Sequence, residues 1–192
     1  MSRRINVKGT SGSGKTTFAQ ELARRLELPF VELDALHHGP DWSETPTDEF
    51  RARVTAAIDA APEGWVLDGN YRHKVEAIVL AQADTLVWLE PPLRVSLGRL
   101  GRRTWRRWRG AEELWHGNRE LVRNMIGPRK GLFAWAVRSY FHHKRELPAA
   151  VARHPHLRLV HLHSAPEVEA FLAGSQRHVQ GQTPDMAGTD AG

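Results

Sequence analysis

The stretch GTSGSGKT, Gly9 to Thr16, decides how this chain reads. A short apolar run, Ile5 to Val7, precedes it, and a helical pattern opens at Lys15. Strand, glycine-rich loop and helix in that order form a Walker A loop, whose backbone amides wrap around phosphate. The glycines let the chain bend tightly and let phosphate oxygens approach with no Cβ in the way. Lys15 reaches the terminal phosphates, Thr16 offers a hydroxyl to Mg2+, and the helix that follows adds the positive end of its dipole. The expected nucleotide-binding set is Gly9, Thr10, Ser11, Gly12, Ser13, Gly14, Lys15, Thr16 and Thr17.

Outward from the loop, strand and helix patterns alternate. Residues 4–8 read as the first strand and 15–27 as the first helix, with Phe18, Leu22 and Leu26 on one face. FVELD, residues 30–34, alternates as a short second strand, and ALHHGPDWSETP should form an irregular loop. A helix capped by Thr47 follows, burying Phe50, Val54 and Ile58. WVLDGNY is the third strand, residues 72–82 a helix, and TLVWLEPP the fourth strand. Residues 93–147 are helical but broken, 157–163 form a fifth strand, and a last helix covers 166–172. Past Gly174 almost nothing is apolar, which predicts a disordered tail over 174–192.

This order implies an α/β P-loop domain over residues 1–173, a parallel five-stranded sheet flanked by helices. Ligands collect beyond the C-terminal strand ends of such sheets. That rim would hold Gly9, Asp34, Asp68 and Glu90.

Composition narrows the class. The 192 residues contain no Cys, so disulfide scaffolds and thiolate metal sites are excluded and a reducing compartment is the natural home. MSRRINVKG lacks an apolar segment of signal-peptide length, and no stretch approaches transmembrane length, so a soluble cytoplasmic protein is expected. The net charge of +5 is uneven: residues 92–145 carry 14 Lys/Arg against 3 Asp/Glu, while both flanking segments are net acidic. Such a block attracts polyanions, either nucleotide phosphates in a cleft or a nucleic-acid backbone.

WVLDG, residues 65–69, has the form of a Walker B strand, in which Asp68 holds Mg2+ directly or through water beside Thr16. Glu90, before Pro91-Pro92, reads as a turn residue. Asp34 could orient an acceptor hydroxyl or accept its proton. Among the arginines at 99, 102, 103, 106, 107 and 109, Arg99 and Arg103 are the expected inward-facing members of a lid over the triphosphate. The remainder should form a solvated basic face. Trp105, Trp108, Trp115 and Trp135 lie among those charges, and core packing or cation–π contact explains them better than base stacking. The pairs His37-His38, His142-His143 and His161/His163 have no carboxylate at a ligand-like spacing, so metal binding is not expected of them.

GTSGSGKT, LDALHHGPDWSETPTDEF, WVLDGNYRHK and the Arg-rich segment after LEPP together resemble the adenylate-kinase-like P-loop proteins of the DNA topology modulation group, over residues 4–173. The resemblance implies an ATP-binding kinase core. It also implies that Asp34 and Tyr71/Arg72 face the acceptor and that Arg99/Arg103 belong to the lid. The chain departs from the usual pattern in reading His37-His38 where an aromatic residue is usual, and it lacks the GFPR-type run of the adenylate kinase signature.

The expected function is a kinase that transfers the γ-phosphoryl group of ATP, with Mg2+, to a nucleoside, nucleotide or similar small acceptor. Catalysis would rest on Lys15, Asp34, Asp68, Arg99 and Arg103, and the metal on Thr16 and Asp68. The alternative is an ATP-switched nucleic-acid regulator, motivated by the basic block, although no helix-turn-helix, RNA-recognition or zinc-finger pattern is present.

Overall fold

A computed structural model describes residues 3–71, 73–110 and 131–180. Arg72, Trp115 and the chain from 181 to 192, all named above, lie outside the described residues. Five parallel strands form one sheet: β1 (Arg4–Gly9), β2 (Phe30–Glu32), β3 (Trp65–Asp68), β4 (Thr85–Leu89) and β5 (Arg158–Leu162), in the order β2-β3-β1-β4-β5. The P-loop strand is therefore central, with Val7 paired to Asp68 on one side and Gly9 to Leu89 on the other.

The strands are continuous apolar runs because both sheet faces are covered. All residues of β3 and β4 are buried. Alternation divides them between two cores. Ile5, Val7, Val66, Val87 and Leu89 meet α1 (Lys15–Leu26) and α7 (Ala165–Gln180) through Phe18, Leu22 and Leu172. Trp65, Leu67, Leu86 and Trp88 meet α3 (Thr47–Asp59), α4 (Glu76–Gln82) and α6 (Leu132–Ala152) through Phe50, Val54, Ile58, Val79, Leu80, Leu147 and Ala150. Each large apolar side chain buried this way contributes about 1.5–3 kcal/mol.

Several boundaries differ from the sequence expectation. The second strand stops at Glu32, and Asp34 lies in the first turn of a short helix, α2 (Leu33–His37). The chain turns because Leu33 and His37, four residues apart, both bury on one helical face. The expected loop is thus partly ordered: α2, a 3-10 turn at Pro40–Trp42 and a bridge between His38 and Glu44. Pro46, not Thr47, occupies the N-cap of α3. Helix α4 starts at Glu76 rather than 72, because the amides of Lys74 and Val75 turn back to the Tyr71 carbonyl.

The Arg-rich run is one helix, α5 (Leu93–Gly110). Helix α6 passes the expected end at 147; Pro148 offers no N–H to its ladder, but Leu147 and Ala150 are buried on either side of it. Helix α7 continues past Gly174 to Gln180, where the composition suggested a tail. No helix among the described residues is long and apolar enough to cross a membrane.

Candidate active site

The loop from Gly9 to Thr16 joins the end of β1 to the start of α1. Gly12 and Gly14 have φ of 81° and 92°, a left-handed backbone that favours glycine. At Gly12 a Cβ would also lie 2.1 Å from the Ser96 carbonyl oxygen, so glycine here lets α5 pack directly on the loop. Asn70 fixes the loop's entry: its side-chain amide donates to the Gly9 carbonyl at 2.7 Å and accepts from the Gly9 N–H at 3.3 Å. On the other side, the Thr10 hydroxyl reaches the Ala136 carbonyl at 3.0 Å and Ser139 Oγ at 2.7 Å, tying the loop to α6.

A pocket of about 820 Å³ opens beside this loop. Ser11, Gly12, Gly14, Lys15, Thr16 and Thr17 line it, whereas Gly9, Thr10 and Ser13 do not and serve the loop's packing instead. Asp68 lies just beneath, 2% exposed. The Thr16 hydroxyl donates to its Oδ2 at 2.5 Å, and the Lys15 ammonium sits 3.6 Å from Oδ1, within ion-pair range but beyond hydrogen-bond range. Burial raises the Asp68 pKa, partly offset by the Lys15 charge and the Thr16 hydroxyl. Its buried Oδ1 receives no hydrogen bond. A carboxylate oxygen left so, next to a P-loop threonine, fits a hydrated Mg2+ and the phosphates it accompanies.

Glu32, Asp34, His38 and Trp42 line the same pocket. Tyr71 Oη donates to Asp34 Oδ1 at 2.8 Å and lies 3.3 Å from His38 Nε2. Burial first, and the Asp34 charge second, raise the Tyr71 pKa, so the phenol stays a neutral donor. Behind it, His37 packs on Phe50 and Tyr71, and burial followed by the Lys74 charge lowers its pKa. Asp41 and Trp42 hold φ of 55° and 57°, uncommon for residues with side chains, and Trp42 lines the pocket.

The arginines of α5 form the roof. Arg99 Nη1 donates to the Ser13 carbonyl at 3.2 Å. Arg102, Arg103, Arg106 and Arg107 line the pocket with it, so the basic run faces the site more completely than expected, and only Arg109 of the six is outside the lining. Arg109 instead stacks over Trp105, 5.4 Å from the ring centre. Trp105 thus makes a cation–π contact of the expected kind, whereas the exposure of Trp105 and Trp135, 56% and 44%, shows that neither is packed in the core.

Sequence reasoning missed Asn70, whose role depends on parallel pairing of distant strands, and the setting of Glu90. Glu90 is buried, pairs with Lys144 of α6 at 2.9 Å and meets His161 Nε2 at 2.8 Å. Burial works to raise its pKa, but Lys144 and His161 outweigh this and hold it below the usual value. Lys8 and Glu76 form a second buried pair on the same sheet face. Beside it, His143 of α6 is pushed down to about 4, first by burial and then by the Lys8 charge.

A phosphate loop, a strand-tip carboxylate bonded to the loop threonine and an arginine roof define a P-loop phosphotransferase. The chain belongs to the shikimate kinase family, whose family model matches residues 11–154. P-loop kinases of this kind use ATP and Mg2+. A cytidylate kinase from Pyrobaculum aerophilum is 35% identical over 112 residues, 52% of this chain and 59% of that protein, so the match spans less than two thirds of the relative. A shikimate kinase from Acinetobacter baumannii, solved in complex with shikimate, shares the fold with a TM-score of 0.53 at 16% identity, over 95% of this chain and 96% of that one. A gluconokinase from Sinorhizobium meliloti 1021 aligns with a TM-score of 0.48 at 22% identity, over 94% and 97%.

Proposed function

We propose that this kinase phosphorylates a hydroxyl or phosphate group of a small acceptor, with nucleosides and nucleotides the first class to test. The observation that carries the reading is the shared pocket: Lys15, Thr16 and Asp34, the last held by Tyr71, line one cavity. Lys15 neutralises charge on the terminal phosphates, and Thr16 and Asp68 hold the metal. A bound Mg2+ would be held by Thr16 and Asp68 and would supply neutralisation of the charge that develops on phosphoryl transfer. Asp34 accepts the hydrogen bond of the acceptor hydroxyl and orients it toward the phosphate end, while Tyr71 fixes the carboxylate's rotamer. The arginines of α5 cover the pocket and exclude water.

The 35% identity to a cytidylate kinase supports a nucleotide acceptor, and the matching family supports a small hydroxylated acid. The motifs LDALHHGPDW and DGNY support placement within the adenylate-kinase-like branch of DNA topology modulation type. The nucleic-acid regulator reading gains no support, because five arginines of the basic run face the pocket. The test is a screen of nucleosides, nucleotides and hydroxylated metabolites for acceptor-dependent ADP release from Mg-ATP. If no acceptor stimulates release above that of Asp34→Asn, the reading is wrong.

A further inference from the structure

Beyond the nucleotide pocket, one cluster joins residues far apart in sequence. Glu90, His161 and His163 each offer one ligand atom, and these atoms lie within 4.8 Å of one another. The topology explains why. β4 and β5 are neighbours with Leu89 opposite Leu162, so the residues just past those strands meet on the same rim. His161 and His163, two apart, extend from one face. His161 is held in place by stacking on Trp88, with ring centres 3.7 Å apart and planes 7° apart. Its Nε2 is 2.8 Å from Glu90 Oε2, and its ring lies 3.9 Å from that of His163.

The plainer reading is a buried carboxylate neutralised by Lys144. That ammonium approaches Oε1 to 2.9 Å, yet Oε1 receives no well-directed hydrogen bond, so the contact is an ion pair and not a fixed bond. The Lys144 side chain is half exposed, and its stem can carry the charge into solvent. Glu90, only 5% exposed at the side chain, would then face the two imidazoles and the Tyr140 hydroxyl.

We propose that Glu90, His161 and His163 form a binding site for a zinc-type dication, separate from the Mg2+ position at Thr16 and Asp68. Two imidazoles and a carboxylate make an open three-ligand zinc set, and nitrogen donors select Zn2+, Co2+ or Ni2+ over the oxygen-seeking Mg2+. Tetrahedral bonds of about 2.0–2.2 Å require His161 and Glu90 to open a little from 2.8 Å and the wider donor separations to shrink, and the exposed His163 supplies movement for the latter. Lys144 is the built-in competitor, since its ammonium and the metal claim the same carboxylate. The site is one residue past Leu89, the partner of Gly9, yet it uses no residue of the nucleotide pocket.

The experiment uses tag-free, chelator-stripped full-length protein without nucleotide, titrated with Zn2+ against a chromophoric chelator and with Co2+ by visible absorption. Wild type should bind one tight equivalent and give tetrahedral Co2+ bands. His163→Ala, at an exposed position that leaves the fold intact, and Glu90→Gln should weaken binding by about tenfold or more. Lys144→Met should tighten it, an opposite sign that general destabilisation cannot produce. The double variant His154→Ala/His156→Ala, which removes a neighbouring imidazole pair, should bind as wild type does. Wild-type affinity in His163→Ala or in Lys144→Met, or no tight equivalent in the wild type, overturns the proposal. Lys15→Ala should still bind zinc, so failure here is distinguishable from failure of the kinase reading.

Discussion

At the phosphate end of the pocket the functional groups are backbone amides, Lys15, Thr16 and an Asp68 that is 2% exposed, all anchored to the central strands. At the roof they are guanidinium groups on α5, where Arg99, Arg102 and Arg106 are exposed. The first arrangement is preorganised: its dipoles are fixed before a ligand arrives, which is how charge stabilisation is had without reorganisation. The second adapts, with several like charges sharing one task. Loss of a single group should therefore be severe at the floor and mild at the roof.

The strongest way to break that contrast is Lys15→Ala, expected to lower kcat on the order of 10³-fold with the fold retained. Measured turnover within tenfold of wild type would remove the floor from the mechanism. Asp34→Asn should cost on the order of 10²-fold in kcat with the KM for ATP little changed, read by steady-state kinetics. Arg103→Ala should cost about tenfold, chiefly in KM, because neighbouring arginines line the same pocket. A loss as large as that of Lys15→Ala would show that the roof, too, is fixed.

The smallest effect sharpens the comparison from the side of stability. The Asp68 pKa is raised from its ordinary value of 3.8, so the carboxyl contributes stability while protonated. That contribution is lost as pH climbs from 3.8 through the raised value. Asp68→Asn should remove this slope and, at pH 7.5 without ligand, raise the melting midpoint by about 2–4 °C, roughly 1 kcal/mol, while abolishing Mg-ATP turnover. A lower midpoint would show that Asp68 is not held at a cost. His143, pushed down to about 4, has the opposite sign: its contribution is present above 6.5 and lost as pH falls toward 4, so His143→Gln should flatten the acid limb of a pH–stability profile.

The floor was legible in the sequence because its signals are local. Gly9 to Thr16 and WVLD each carry spacing and context within a dozen residues, and the alternation of elements predicts the parallel sheet. The remainder depends on which distant residues the topology brings together. Nothing at Asn70 announces that it brackets Gly9, since the bond exists only because β1 and β3 pair in that register. Glu90 read as a turn residue because its partners, Lys144 and His161, lie on other elements. Asp34 was found by its place on the rim, but it sits in α2 because burial of Leu33 and His37 outweighed the strand pattern of FVELD. The direction of the α5 arginines was half legible, for helical spacing tells which residues share a face but not which face meets the pocket.

Four consecutive residues have an effect on specificity. Asp68 meets the loop threonine, Gly69 packs against Leu33, Asn70 brackets Gly9, and Tyr71 grips Asp34. This short segment acts as a gauge block between donor and acceptor, its length set by covalent geometry. Relatives that favour larger or smaller acceptors can hardly change it, and would have to vary the opposite wall, at Glu32, His38 and Trp42, instead.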